Sequence, residues 1–314
     1  MKSVKELKEN RTTFIGITTL YPEEFDLILP IFSEIWYKFY KIYTLQGKRR
    51  AKKNWYSQKD TPTLATTEDK LFFILCYYKE NPLQEYQGLT FEFSQAKVSN
   101  WVKILTPMLE EALDKLDVLP CRQGSILERF LEQMPDAENV NIDAVEQVTP
   151  RPVDDQAQKA QYSGKKGTHT YKNQVNSLDN QYVVYLSPTH LGPTHDKRIA
   201  DEERCTFPQG TRIRQDSAYV GYQPEGTLIE MPFKKPKGKE LTTIQKWYNQ
   251  YVAQRRIVVE HAIRGIKRFK IVQRICRLRG YWVRDQIMNI CTGLHNLRVK
   301  SSLRNYSGEI KFQF

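Results

Sequence analysis

NVNIDAVEQV, residues 139–148, alternates polar and apolar side chains as a β-strand does, and it carries an acid, Asp143, inside the alternation. The chain around it keeps the same texture. Residues 168–178 and 182–186 read as the next two strands. Residues 196–204 read as a helix, 211–215 and 227–231 as two more strands, and 242–270 as a long helix. A last helix is expected over 283–300. The order β-β-β-α-β-β-α-α predicts a mixed sheet covered by helices, which makes this an α/β domain.

Upstream of residue 139 the texture is helical. In 22–46, Phe25, Ile28, Leu29, Phe32, Ile35, Trp36, Phe39, Ile42 and Tyr43 recur at three- and four-residue steps. That pattern predicts a packed core helix. The basic run 48–53 (KRRAKK) follows it, either as a solvated linker or as a contact to phosphate. Residues 66–118 predict three helices. The first starts at Thr67-Glu68-Asp69 and is stopped by Asn81-Pro82. The second is a short helix near 83–88. The third is capped by Ser94 and runs from Gln95 to Leu105. Two short helices, a turn and a longer one form a helix-turn-helix pattern, though a plain helical bundle reads the same way. On the third helix Gln95, Lys97, Ser99, Asn100 and Lys103 face outward, and such side chains read base edges or touch phosphate. Residues 125–131 predict a short helix, closed by Met134-Pro135-Asp136.

Five regions result: a helical N-terminal region with its basic linker (1–60), a helix-turn-helix (61–120), a linker (121–138), the α/β domain (139–305) and a tail (306–314).

With 314 residues and 40% hydrophobic side chains, the chain has material for more than one core. The net charge is +12 and is unevenly spread. Residues 61–138 hold 7 basic and 13 acidic residues, whereas 245–305 hold 14 basic and 2 acidic ones. A polyanion, nucleic acid above all, is the expected partner. No stretch of roughly 18 apolar residues predicts a membrane span. The N-terminal residues lack the apolar core of a secretion signal, and five scattered cysteines without a C-x-x-C pair suit a reducing compartment. A cytoplasmic protein is expected.

Three acids occupy informative places: Asp143 in the first strand, Asp216 at the end of the fourth and Glu260 inside the long helix. Carboxylates at neighbouring strand ends plus one from a packed helix have the chemistry to hold two Mg²⁺ ions, although spacing alone favours ordinary surface acids. Glu260 shares a helix face with Arg256, Arg264 and Lys267. That face is either an exposed set of ion pairs or an acid flanked by phosphate-binding cations.

Four motifs extend this pattern: NIDAVEQVTPRP (141–152), YSGKKGTHTYKNQV (162–175), LGPTHD (191–196) with QDSAYVGY (215–222), and RIVVEHAIRGIK (256–267). Their order resembles the catalytic domain of DDE transposases of bacterial insertion sequences, in the broad group that includes the Harbinger elements. The last motif matches the family's Tyr-x2-Arg-x3-Glu-x6-Lys signature at Arg256, Glu260 and Lys267, while Ala253 stands where the family has Tyr. Ala144-Val145 stands where relatives often carry Gly-Thr. Residues 66–115 resemble the helix-turn-helix that precedes the domain in such proteins. The resemblance implies a ribonuclease H-like fold for 139–300 and a metal-binding catalytic triad of Asp143, Asp216 and Glu260, with Asp196 a competing second acid. It also implies two Mg²⁺ ions, or Mn²⁺, as cofactors. Arg256, Arg264, Lys267 and Lys172 would support the site or hold phosphate. The implied partners are double-stranded DNA, both terminal inverted repeats and target, and a second copy in a synaptic homodimer working at the nucleoid. The implied reaction is strand cleavage followed by strand transfer. Two rivals remain: a decayed transposase that only binds DNA, and a ribonuclease H-like nuclease without strand transfer.

Overall fold

The computed structural model describes residues 3–134 and 137–305. Pro135, Asp136 and the expected tail 306–314 lie outside the described residues. In chain order the elements are α1 (Val4–Glu9), α2 (Arg11–Thr18), α3 (Pro22–Ile42), α4 (Thr67–Glu80), α5 (Gln84–Phe91), α6 (Gln95–Asp114) and α7 (Leu127–Glu132). Then come β1 (Asn139–Val148), α8 (Asp155–Gln161), β2 (Tyr162–Ser163), β3 (Thr168–Ser177), β4 (Val183–Leu186), β5 (His190–Leu191), α9 (Asp196–Glu203), β6 (Arg212–Arg214) and β7 (Leu228–Glu230). The chain ends in α10 (Thr243–Lys267), α11 (Lys270–Gln273) and α12 (Tyr281–Asn305). They form two compact units. Of the described residues, one holds those up to Leu119 with Lys267–Arg274 and 286–305; the other holds those of Pro120–Ile266 and Ile275–Asp285.

The first unit is helical. Its core is aromatic: Trp36 of α3 meets Trp101 of α6 at 5.7 Å between ring centres, and Phe73 of α4 meets Phe91 of α5 edge-on at 4.9 Å. α4 starts where Thr66 and Asp69 form a reciprocal capping box, and it stops where Asn81 takes a left-handed conformation at φ 48°. Ser94 caps α6 through the Lys97 N–H at 3.4 Å. α6 runs on to Asp114, past the expected end at Leu105 and through Pro107, because Met108, Leu109, Ala112 and Leu113 continue its buried stripe.

The second unit is mixed α/β. Its sheet runs β2-β3-β1-β6-β7, with β4 and β5 also paired to β3. β1 is antiparallel to β3 and parallel to β6, which is parallel to β7. The central strand buries Val140, Asn141 and Ile142 in succession, then Val145 and Gln147. On the adjacent strand β6, Arg214 is 1% exposed and donates to Asp179 and Glu230 at 2.6 and 2.8 Å. The expected strands and helices occur, with ends shifted by a few residues. α1, α2, α8, α11 and the two-residue strands β2 and β5 were not foreseen.

Candidate active site

The register of the parallel pair positions the acids. Asn141 of β1 lies opposite Arg214 of β6, the last pair of that ladder, and Asp143 and Asp216 each follow two residues later, near enough for the Asp216 charge to act on the Asp143 carboxyl. β6 has ended by then. Asp216 instead caps the short 3₁₀ turn Ser217–Tyr219 by accepting from the Ala218 N–H at 2.7 Å. Asp143 accepts from the Ala144 N–H at 2.7 Å. Each therefore spends one oxygen on the backbone.

The third acid of the cluster is Asp196. It opens α9, is 8% exposed, and accepts from Lys172 Nζ at 2.8 Å. Lys172 also donates to the Thr194 carbonyl at 2.8 Å and lies 4.0 Å from Glu146. Lys172 is thus a buried counter-ion of Asp196.

Charge crowding is legible at Asp143. Burial pushes its carboxyl up from the usual aspartate range, and the neighbouring Asp216 and Asp196 push the same way. The Ala144 N–H and the Arg256 guanidinium, whose Nη2 lies 4.0 Å from Asp143 Oδ2, oppose them. Tyr219 is fully buried beside the same three acids, and its hydroxyl has no hydrogen-bond partner. No role was foreseen for Tyr219. The signal was its place three residues after Asp216, where one 3₁₀ turn returns a side chain toward its cap.

α10 supplies the rest. Val252, Val259, Ala262 and Ile266 form its buried stripe, and Arg256 sits half-buried on the edge facing Asp143. Glu260, one turn on, is exposed and makes no hydrogen bond or ion pair to Asp143 or Asp216. Arg264 is exposed, Lys267 is half-buried, and Ala253 faces solvent. Among the described residues, no three His, Cys, Asp or Glu side chains stand close enough to share a metal ion. The donors themselves suit a hard divalent cation: they are carboxylate oxygens, with Asp216 and Asp196 both near Asp143.

In the helical unit, Gln95, Lys97, Asn100 and Lys103 of α6 are exposed and Ser99 is half-exposed, so this face is free to meet a partner. Gln95 donates to Gln84 of α5 at 2.6 Å. The basic run 48–53 is partly structural, since Arg50 donates to the carbonyls of Tyr40 and Tyr43 and so caps the end of α3. No described helix is long and apolar enough to cross a membrane.

Residues 142–296 match the DDE superfamily endonuclease family. Over 233 residues the chain is 30% identical to a probable transposase for insertion sequence element IS702 of Microchaete diplosiphon, covering 73% of this chain and 79% of that one. No solved structure matches significantly. By these similarities the chain belongs to the DDE transposases of insertion sequences.

Proposed function

We propose that the protein cuts DNA at the ends of its own insertion sequence and joins the freed 3′ ends to target DNA. The observation that carries this is the nearness of Asp143 and Asp216, each two residues past the last pair of the parallel β1–β6 ladder and each with a carboxylate oxygen left over from its backbone hydrogen bond. The central strand between an antiparallel β3 and a parallel β6 supports a ribonuclease H-like domain over 139–305.

Asp143 and Asp216 would hold a divalent cation, with Glu260 as third ligand after a rotation or shift of its exposed side chain. The cation supplies acidification of water and charge stabilisation at phosphorus. Arg256 favours the charged form of Asp143 against its burial, and the Lys172–Asp196 pair fixes the start of α9 beside Tyr219. Arg264, exposed one turn beyond Glu260, is set to meet backbone phosphate. Hydrolysis at the element end leaves a 3′-hydroxyl. That oxygen then attacks a target phosphodiester, forming one P–O bond as another breaks. α4, α5 and α6 would place the protein on the terminal repeats through the outer face of α6, and two copies would bring two ends together.

The test is cleavage of DNA carrying the element ends, with Mg²⁺ or Mn²⁺ added. Nicked and joined products are expected from the wild type and neither from Asp143→Ala or Glu260→Ala. Full activity in either variant sinks the assignment. A second reading, DNA binding alone, draws on the exposure of Glu260 and on Ala253 at the family's Tyr position. Binding of the ends with no metal-dependent nicking favours it.

A further inference from the structure

The first half of α10 is out of keeping with a helix that serves only to carry Arg256 and Glu260. Trp247 is 65% exposed and Ile244 is 78% exposed. The exposed rings of Trp247 and Phe233 are held by the half-buried Tyr248 and Tyr251. Trp247 stacks on Tyr251 with centres 5.9 Å apart and planes 22° from parallel. Tyr251 stacks on Tyr248 at 6.4 Å and 29°, and Tyr248 meets Phe233 edge-on at 5.3 Å. Asn249 fixes Phe233 to the helix by accepting from its N–H at 2.7 Å and donating to its carbonyl at 3.0 Å. The Arg255 guanidinium covers Tyr251 at 4.3 Å.

The charge around these rings is one-sided. Residues 233–256 contain seven basic residues and one acid, Glu240. Glu240 is engaged by Lys235 and Lys246, so Lys234, Lys237 and Lys239 stand exposed without an acidic partner. Stacked rings that offer a face, set beside unpaired cations, match the chemistry of a nucleic-acid strand whose bases are not paired. The place also fits. Trp247 lies nine residues before Arg256 on one helix, about 14 Å along its axis, or about four nucleotides at 3.4 Å each.

We propose that Phe233, Trp247, Tyr248 and Tyr251 form a stacking platform for unpaired bases of the DNA strand held at Asp143 and Asp216, with Lys234, Lys237 and Lys239 on its phosphates. The proposal rests on the endonuclease reading for the strand's identity, and it adds the form of the substrate: a strand opened a few nucleotides from the bond that is cut. Bases stacked there keep the duplex from closing and leave the scissile phosphate reachable.

The test is binding by the full chain, without added metal. The probes are an oligo-dA carrying 2-aminopurine and the same strand annealed to oligo-dT. The wild type binds the single strand and quenches its fluorescence. Trp247→Ala combined with Tyr251→Ala loses at least about tenfold in affinity for the single strand, while duplex affinity stays within about twofold. Trp247→Phe keeps most of the single-strand affinity. Circular dichroism melting shows that the exposed substitutions leave the fold intact. Equal losses on both probes, or no loss on either, overturn the platform. So does a change in sedimentation from dimer to monomer with single-strand binding intact, which gives the surface to a second copy of the chain. Because no cleavage is read and no metal is added, the outcome on these probes is separate from cleavage of element-end DNA, which tests the endonuclease reading by itself.

Discussion

Asp143 shows how a single carboxylate trades stability for chemistry. It lies in a sheet, loses solvation, and feels two more acids, while one guanidinium at 4.0 Å and one N–H compensate only in part. Its folded pKa is raised above the unfolded value of about 3.9. Between the two values the folded chain binds more protons than the unfolded one, so stability falls as pH rises through that window and stays reduced above it. Asp143→Asn keeps an acceptor for Ala144 and removes the charge. It is expected to raise the melting temperature at pH 7 in metal-free buffer, to lose that advantage below about pH 3.9, and to abolish cleavage. A lower melting temperature at pH 7 would show that the carboxylate is fully compensated. Lys70 is the opposite case. Its amino group is buried among Trp36, Tyr56 and Trp101, and it donates to Tyr56 at 2.7 Å and to the carbonyls of Leu64 and Thr66. Burial lowers its pKa to about 7. Above that value the unfolded chain holds the extra proton, so stability gains with pH up to the unfolded value of about 10.4. Lys70→Met should lose that slope. It should also cost about 1–3 kcal/mol at neutral pH, by leaving buried carbonyls unpaired, as denaturant melts across pH would show.

At the scale of elements, the turn between α5 and α6 decides whether the outer face of α6 is presented as it is. Gly88 lies where an added Cβ would come 2.5 Å from the carbonyl oxygen of Phe93, and the Phe93 N–H bonds back to Gly88 at 2.7 Å. Gly88→Ala is therefore expected to destabilise the helical unit by about 1–3 kcal/mol and to weaken DNA binding, both measured on the full chain. Gln95→Ala and Asn100→Ala should instead leave stability alone and relax sequence preference by about 1–3 kcal/mol at one base pair each. The sequence made some of these elements plain and hid others, for physical reasons. α3 was legible because burial imposes a period on its side chains, with Phe25, Ile28, Phe32, Ile35, Trp36 and Tyr40 inward, and α4 because its capping and stop residues bound it. α8 (Asp155–Gln161) was not, since none of its residues is buried and no periodicity exists to find. β5 is two residues long, too short for any pattern. At the site, Asp143, Asp216 and Asp196 were nameable from their motifs, but two facts depend on three-dimensional register alone. One is that Lys172, read as a phosphate ligand, is the buried partner of Asp196. The other is that Glu260 stands exposed one turn past Arg256.

At the scale of the whole molecule, the excess of positive charge is not one surface. The 14 basic residues of 245–305 are divided between the two units, and some are spent internally. Arg284 is 4% exposed and donates to the Cys276 carbonyl at 3.0 Å, Arg256 serves Asp143, and burial lowers the pKa of Arg298. What is left for a polyanion includes Lys246, Arg255, Arg264 and the loop lysines, all exposed. The α6 face has two exposed lysines, Lys97 and Lys103, in a segment where acids outnumber bases by 13 to 7. Counterions condensed on DNA are released by cations that reach phosphate in a favourable local potential, each contact adding about 0.9 to the salt slope. Replacing Arg264 and Lys267 together by Ala should therefore flatten the dependence of log affinity on log salt by up to about 1.8, and the Lys97–Lys103 pair should flatten it by less. Titrations of the full chain with element-end DNA at several salt concentrations measure both. The reverse ranking would move the main electrostatic footprint from α10 to α6, and with it the order in which the protein first grips its DNA.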